Sequence, residues 1–517
     1  MSKSTTHSEH IFLFPFTWQI FKGKYSDKSF TGRTNIEYIK KVFSSDWEMQ
    51  LFQTNESIHY NEYIYFFPSV RSALYTAKDK NEVVYNFKYK KIQYGISKYI
   101  IEVDDTQYSL DINDIKLRLY KTGIGILSFH LDNKLYNEPE DVLKINNFGR
   151  RVYPPFLPLE KVKNKLLAQK LIIKINATDI IEEYFDKPYD QYPVQISKTI
   201  MSLLGPKFST ISMDLKRGDI YIQPVIDDRM FVICWYTSPD LSSQICVKNK
   251  DDTYSYRDSV FWYRYLFADG KGVSCKNDTM MESLLKDHTY DRWIDDHILY
   301  GVTKYSFMGI GANKSPDHQI YDQLVCLTMV QRASVLHFSN EVSRIAILPK
   351  VKLVMAIRSL YEYHILFMNH LYFREVTADN QGIEFYERLI QEMKIPNDIN
   401  MLDAEIEEVN QYATLIAQES SQKRTHAITV IGAALIIPTL VTGFFGMNVL
   451  QKKLSTWWLH PELKLWLNAY FILPVSVVIF ICMLRPHRSF RYIILVILLG
   501  VIALLSLYVL YAFGCGL

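Results

Sequence analysis

Cysteine is scarce in this 517-residue chain: six residues, Cys234, Cys246, Cys275, Cys326, Cys482 and Cys515, none in a Cys-x-x-Cys pair. Without paired spacing, neither a zinc site nor a disulfide framework is expected, and scattered thiols suit a reducing compartment. Net charge is scarce too. Lysine and arginine total 58 against 55 aspartates and glutamates, a formal +3, so direct nucleic-acid binding is not expected. No Gly-x-Ser-x-Gly nucleophile motif occurs. Gly309 to Ser315 opens like a phosphate loop, but Asn313 stands where glycine must precede the lysine, so the segment reads as an ordinary loop. An enzyme is therefore not expected. The N-terminal MSKSTTHSEH lacks the apolar stretch of a signal peptide, so a large cytoplasmic N-terminal domain is expected.

What the chain does have is long hydrophobic runs near its end. Residues 427–446, AITVIGAALIIPTLVTGFFG, carry no charge and have the length of a membrane span. Further uncharged runs cover about 465–484 and 492–513. Arg485, Arg488 and Arg491 lie between those two, and Lys423 and Arg424 precede the first, so both flanks read as cytoplasmic. The expectation is a multi-pass protein of the plasma (inner) membrane with three candidate spans, its bilayer a partner by definition. Trp457 and Trp458 suit an interface.

The first run ends in Gly446-Met447-Asn448, and Pro461-Glu462-Leu463 follows in the next loop. A carboxamide at a span's end can accept hydrogen bonds from the waters of a hydrated cation, and copies around an axis would form a polar ring. An apolar helix ending in Gly-Met-Asn, then Pro-Glu-Leu, then a second span, resembles the CorA family of magnesium channels. The resemblance implies a homo-oligomer, a pentamer by the family rule, with Mg2+ as the ion carried. It makes Asn448 the outer selectivity ring, its backbone shaped by Gly446 and Met447. By helical counting, Thr439 supplies a hydroxyl ring, and Ile436 and Ile428 are hydrophobic constrictions. The third run departs from the family, whose chains have two spans.

Upstream, Leu402, Ile406, Val409, Ala413 and Ile416 recur at spacings of four and three, a coiled-coil seam. Met401–Asn448 can be one helix, with Pro438 as a possible kink. Val351–Ile395 reads as another long helix broken near Thr377–Gly382. The acidic Asp403, Glu405, Glu407 and Glu408 read as a solvated tip.

Residues 1–320 alternate strand and helix patterns, a mixed α/β or α+β domain, followed by a helical hairpin and stalk over 321–426 and a transmembrane helical domain over 427–517. Tyr85, Phe87 and Tyr89 alternate with polar residues, a half-buried strand. Ile115–Leu119 and Leu127–Leu131 around Lys121-Thr122-Gly123 read as a hairpin; Ile220–Ile226 and Met230–Tyr236 around Asp227-Asp228-Arg229 read as another. These two segments resemble those of CorA-like proteins beside type III CRISPR systems. That resemblance implies an antiviral membrane effector gated by a small nucleotide second messenger, S-adenosylmethionine joined to AMP. Asp227, Asp228 and Arg229 are the candidate ligand residues, since arginine pairs with phosphate and carboxylates take ribose hydroxyls; as a bare turn they would be solvated. The alternatives are a divalent-cation channel regulated by bound magnesium, or a membrane-anchored sensor or enzyme without a pore. Among possible metal ligands, the densest group is Asp287, His288, Asp291, Asp295, Asp296 and His297. Helical spacing would align His288, Asp291 and Asp295, and the group reads first as a polar surface helix.

Overall fold

The computed structural model describes residues 6–21, 46–53, 57–76, 83–153, 167–185, 196–211, 215–226, 228–313 and 318–446. The chain divides into two compact units, Met1–Asn410 and Gln411–Leu517.

Alternating apolar residues set the strands: β1 (His7–Ile20), β2 (Trp47–Met49), β3 (Val84–Tyr89), β4 (Lys98–Val103), β5 (Thr106–Tyr120), β6 (Ile124–Asn133), β7 (Lys170–Lys174) and β8 (Ile180–Tyr184). They continue with β9 (Phe208–Ser209), β10 (Ile220–Pro224), β11 (Phe231–Thr237), β12 (Thr289–Tyr290), β13 (Leu299–Thr303) and β14 (Ser306–Gly311). Among the described residues they form one 14-stranded sheet, with the order β12-β13-β14-β11-β1-β6-β5-β4-β7-β8 along its main path. Only β11 with β14 and β9 with β10 pair in parallel there; the other ladders are antiparallel. The N-terminal region is thus of the mixed α and β class expected.

The helices are α1 (Ser57–Tyr65), α2 (Pro68–Leu74), α3 (Pro139–Gly149), α4 (Lys198–Leu204), α5 (Pro239–Ile245), α6 (Val260–Leu266), α7 (Asp278–His288), α8 (His318–Ala346), α9 (Lys350–His370), α10 (Asn380–Glu392) and α11 (Ile395–Gly446).

The β5–β6 hairpin forms as expected. Leu117 pairs with Leu127 and Leu119 with Gly125, and Gly123 turns the chain at φ 86°, a left-handed value that suits glycine. Directly paired residues share a face, so the sheet sorts its side chains by register. Phe12, Phe129 and Leu117 face α3, where Gly149 lies so close to Phe12 that a Cβ would clash at 2.8 Å. His10 is buried on this face too, its Nδ1 2.7 Å from Asn146 Oδ1 of α3. The other face meets α8, where Arg118 of β5 pairs with Asp322.

The second expected hairpin does not exist. β10 and β11 never pair with each other; both pair with β1, β10 along Phe16–Ile20 and β11 along His7–Leu13. They are one broken strand laid end to end on the edge of β1. A strand as long as β1 offers two consecutive partners, which local alternation cannot show.

The break expected near Thr377–Gly382 lies a few residues earlier, and Gly382 falls inside the next helix. Residues 371–379 separate α9 from α10, and Asp379 caps α10 by accepting from Gly382 N at 2.9 Å. Lys394, at φ 57°, separates α10 from α11, which then starts with Pro396 in its first turn. Gly309–Gly311 belongs to β14 rather than to a loop: Gly309 packs under Trp235, where a Cβ would meet the indole at 2.4 Å. Cys234, Cys246, Cys275 and Cys326 are free thiols. Burial pushes Cys234 and Cys246 up to about 12, which leaves them unreactive.

Candidate functional site

α11 carries the predicted pore residues. It runs unbroken for 52 residues, about 78 Å at the standard rise, with Pro438 inside it. Its early turns are held within the N-terminal unit. Asp403 pairs with His364 Nε2 of α9 at 3.0 Å, and Glu405 accepts from Ser339 Oγ of α8 at 3.0 Å. Two of the four residues read as a solvated tip are therefore tied to neighbouring helices. Leu402 and Ile406 of the predicted seam are buried, Ala413 is buried, and Val409 and Ile416 are half-buried. Leu402 and Ile406 thus sit as they would in an amphipathic helix packed inside one chain, the plainer of the two readings of that spacing.

Past Ile416 the same count meets exposed residues, Ser420, Lys423 and Ala427. Large aliphatic side chains then stand exposed: Ile428 at 70%, Ile431 at 60%, Leu435 at 59% and Ile436 at 62%. Thr439 returns its hydroxyl to its own helix, Oγ1 donating to Leu435 O at 2.6 Å. Gly446 is the last described residue. Met447, Asn448, Pro461, Glu462 and Leu463 lie outside the described residues, as do the second and third predicted spans and several side chains of the first. Among the described residues no helix is long and apolar enough to cross a membrane, so the three-span bundle is not shown.

The second candidate lies in the break between β10 and β11. Asp227 is outside the described residues. Asp228 is buried, not solvated: Arg151 Nη1 donates to its Oδ2 at 2.5 Å, and Arg229 Nε lies 3.7 Å from its Oδ1. The chain at 150–152 fills the break, with Met230 N donating to Arg150 O at 2.7 Å and Val152 N to Asp228 O at 2.9 Å. The guanidinium groups of Arg229 and Arg332 lie 4.6 and 5.0 Å from the centre of the Tyr305 ring. Cationic groups thus gather around one buried carboxylate and one aromatic ring, a setting that can receive an anionic ligand. Sequence reading missed Arg151, Tyr305 and Arg332. Arg151 is 77 residues from Asp228, and nothing local to either marks the pair.

The metal-capable group disperses. α7 ends at His288, so Asp291 and Asp295 do not continue its face. Asp291 accepts from Tyr256 at 2.8 Å, and Asp295 and Asp296 sit in a short 3-10 turn. His288 Nδ1 lies 3.0 Å from Val302 O and 3.1 Å from Glu392 Oε1. Among the described residues no three histidine, cysteine or acidic residues are placed to hold a metal ion.

With this geometry in place, comparison with known proteins finds a similarity over part of the chain. Residues 342–485 match one family, described as CorA-like Mg2+ transporter protein. The match begins in α8, takes in α9 to α11, and reaches past Gly446-Met447-Asn448 and Pro461-Glu462-Leu463 to the end of the predicted second span. Most of the sheet-bearing unit and the predicted third span lie outside it. No curated protein matches the chain, and neither does any solved structure.

Proposed function

We propose that the protein is a CorA-like, membrane-embedded homo-oligomeric channel, pentameric, whose N-terminal domain receives a ligand that gates it. The observation that carries the reading is the helix α11. Its last turns expose Ile428, Ile431, Leu435 and Ile436 within the segment that matches the CorA-like family. Such a surface is costly in water and needs lipid or further copies of the chain to cover it. On this reading, residues 427–446, 465–484 and 492–513 span the plasma membrane, with the N-terminal domain cytoplasmic. The outer ring is Asn448, shaped by Gly446 and Met447; Thr439 lines the pore, Ile436 and Ile428 constrict it, and Pro461-Glu462-Leu463 closes the outer loop.

We further propose that the domain outside the family match is the receptor, with Asp227, Asp228 and Arg229 among its ligand contacts. The ligand implied by the CRISPR-associated resemblance is S-adenosylmethionine–AMP, which would make the protein an antiviral effector. The matched family's description names a Mg2+ transporter and so favours a second reading, magnesium transport, for which we propose regulation by bound magnesium. Flux into proteoliposomes separates them: the effector opens only with the nucleotide, the transporter conducts Mg2+ without it. Asn448→Ala abolishes flux under either reading. Unchanged flux in that variant would take Asn448 out of the ion path, and no flux in the parent with or without the nucleotide would leave the C-terminal helices as an anchor without a pore.

A further inference from the structure

The face of the sheet that meets α8 is not apolar throughout. Between β2, β3, β5 and the helices α1, α2 and α8 it opens into a cleft of about 900 Å3. Its lining mixes charge, with Lys88, Lys116 and Arg118 set among Glu9, Glu48, Glu62, Asp114 and Asp322. Lys88 of β3 stands directly opposite Lys116 of β5, and Asn86 opposite Arg118. Like charges placed directly opposite across strands destabilise a sheet, so such a row calls for compensation. Lys88 has it, from Asp114 at 2.5 Å. Arg118 has it in part: its Nη2 donates to Asp322 Oδ2 at 2.9 Å. Lys116 has no such contact: among the described residues no carboxylate comes within ion-pair distance of its ammonium, and it meets the charge of Asp322 only at longer range.

Arg118 sharpens the point. Its side chain is 5% exposed, yet buried Nη1 has no hydrogen-bond partner. A guanidinium N–H left unmet in a buried setting is costly, and native structures rarely keep one without a use. Beside it, Asn86 uses its Nδ2 to donate to Leu74 O at 2.9 Å, which fixes the amide and leaves buried Oδ1 without a partner. Buried, unmet Arg118 Nη1 and the ammonium of half-buried Lys116 therefore share one patch of the cleft with the unmet acceptor Asn86 Oδ1. The apolar part of the wall is Phe52, whose ring lies 4.2 Å from that of Tyr75.

We infer that this cleft is a binding site for a small organic oxyanion, its phosphate or carboxylate seated on Arg118 Nη1 and Lys116 Nζ. A hydroxyl or amine of the ligand donates to Asn86 Oδ1, and its flat part lies against Phe52. Unlike the Asp228 turn, where the carboxylate is already paired, a buried guanidinium N–H is left unmet here, which selects for a negatively charged partner. Asp322 holds the arginine in place. Burial pushes its carboxyl up, but Arg118, with His130 and Lys116, outweighs that and keeps it ionised. The inference deepens the receptor reading and rests on it for the consequence of binding, not for binding itself.

The test is thermal unfolding and equilibrium binding of the full chain in detergent, with flux measured separately. The probes are inorganic phosphate, AMP and S-adenosylmethionine, against chloride at matched ionic strength. Phosphate and AMP raise the midpoint if the site takes a phosphoryl group; S-adenosylmethionine alone does so if it takes a carboxylate. Lys116→Gln weakens the effective probe about ten-fold or more, since it removes a charge-assisted contact. Asn86→Asp also weakens it, by placing a second anion beside the ligand. Lys134→Gln, elsewhere on the sheet, changes nothing. Binding that is equal in Lys116→Gln and the parent, or no shift with any of the three probes, overturns the inference. Loss of flux with binding intact would count against the channel reading alone.

Discussion

Leucine and isoleucine do opposite things in the two units of this protein. In β5, Ile115, Leu117 and Leu119 are fully buried, covered by the same chain. In the last turns of α11, Ile428, Ile431, Leu435 and Ile436 are exposed by 59 to 70%. The side chains are chemically alike; the difference is whether one copy supplies the cover. The N-terminal unit closes over its own apolar surface and gains about 25 cal/mol for each Å2 removed from water. The exposed turns of α11 leave that gain to another partner. Polar groups repeat the contrast. Arg151 and Asp228 form a buried pair, whereas Lys423 and Glu419, four residues apart at 2.7 Å, form an exposed one.

Each half of that contrast can be broken by substitution. The largest effect belongs to Arg151→Ala. It leaves Asp228 buried without its closest cationic partner, and costs about 3–5 kcal/mol in urea unfolding of the N-terminal unit. Lys423→Ala, its exposed counterpart, moves the midpoint hardly at all. Equal effects from the two would dissolve the distinction. Next comes Leu117→Ala, at about 2–5 kcal/mol for a cavity in a closed core. Ile431→Ala, measured in the same way on the monomeric chain, stays within about 0.5 kcal/mol. A large loss at Ile431 would mean that its cover lies within the monomer.

The smallest effect depends on pH. Burial pulls His288 down, but the hydrogen bond and charge of Glu392 outweigh it, so its folded pKa is raised above 6.5. The protonated form is the one favoured by folding. Its contribution is therefore complete below the unfolded value and is lost as pH rises through the higher folded value. Melting temperatures of the parent and His288→Gln should differ most at acidic pH and converge on the alkaline side. A gap that widens with rising pH would contradict the assignment.

Much of the local structure was legible before the fold was known. The alternation at Tyr85, Phe87 and Tyr89 gave a strand, Lys121-Thr122-Gly123 a turn, and the stretch near Thr377–Gly382 a helix break that overlaps the observed one, because each depends on residues near in sequence. The hairpin proposed around Asp228 was not legible. Its two strands share β1 as partner, and register along a third strand leaves no local trace. The helix α8 went unnamed for a related reason: its residues are buried on several sides, so the amphipathic stripe that marks a surface helix is weak.

By itself, then, the sequence determined the elements whose causes are local: the period of the strands, the caps and breaks of the helices, and the uncharged run that closes on Gly446. Tertiary structure alone decided which charges meet. It buried Asp228 against Arg151, set Lys88 opposite Lys116, and placed Arg118 against Asp322 at a cleft floor. The physical reason is range. Backbone preference and hydrophobic period act over a few residues, whereas an ion pair or a cleft is defined by distance in space between segments far apart along the chain.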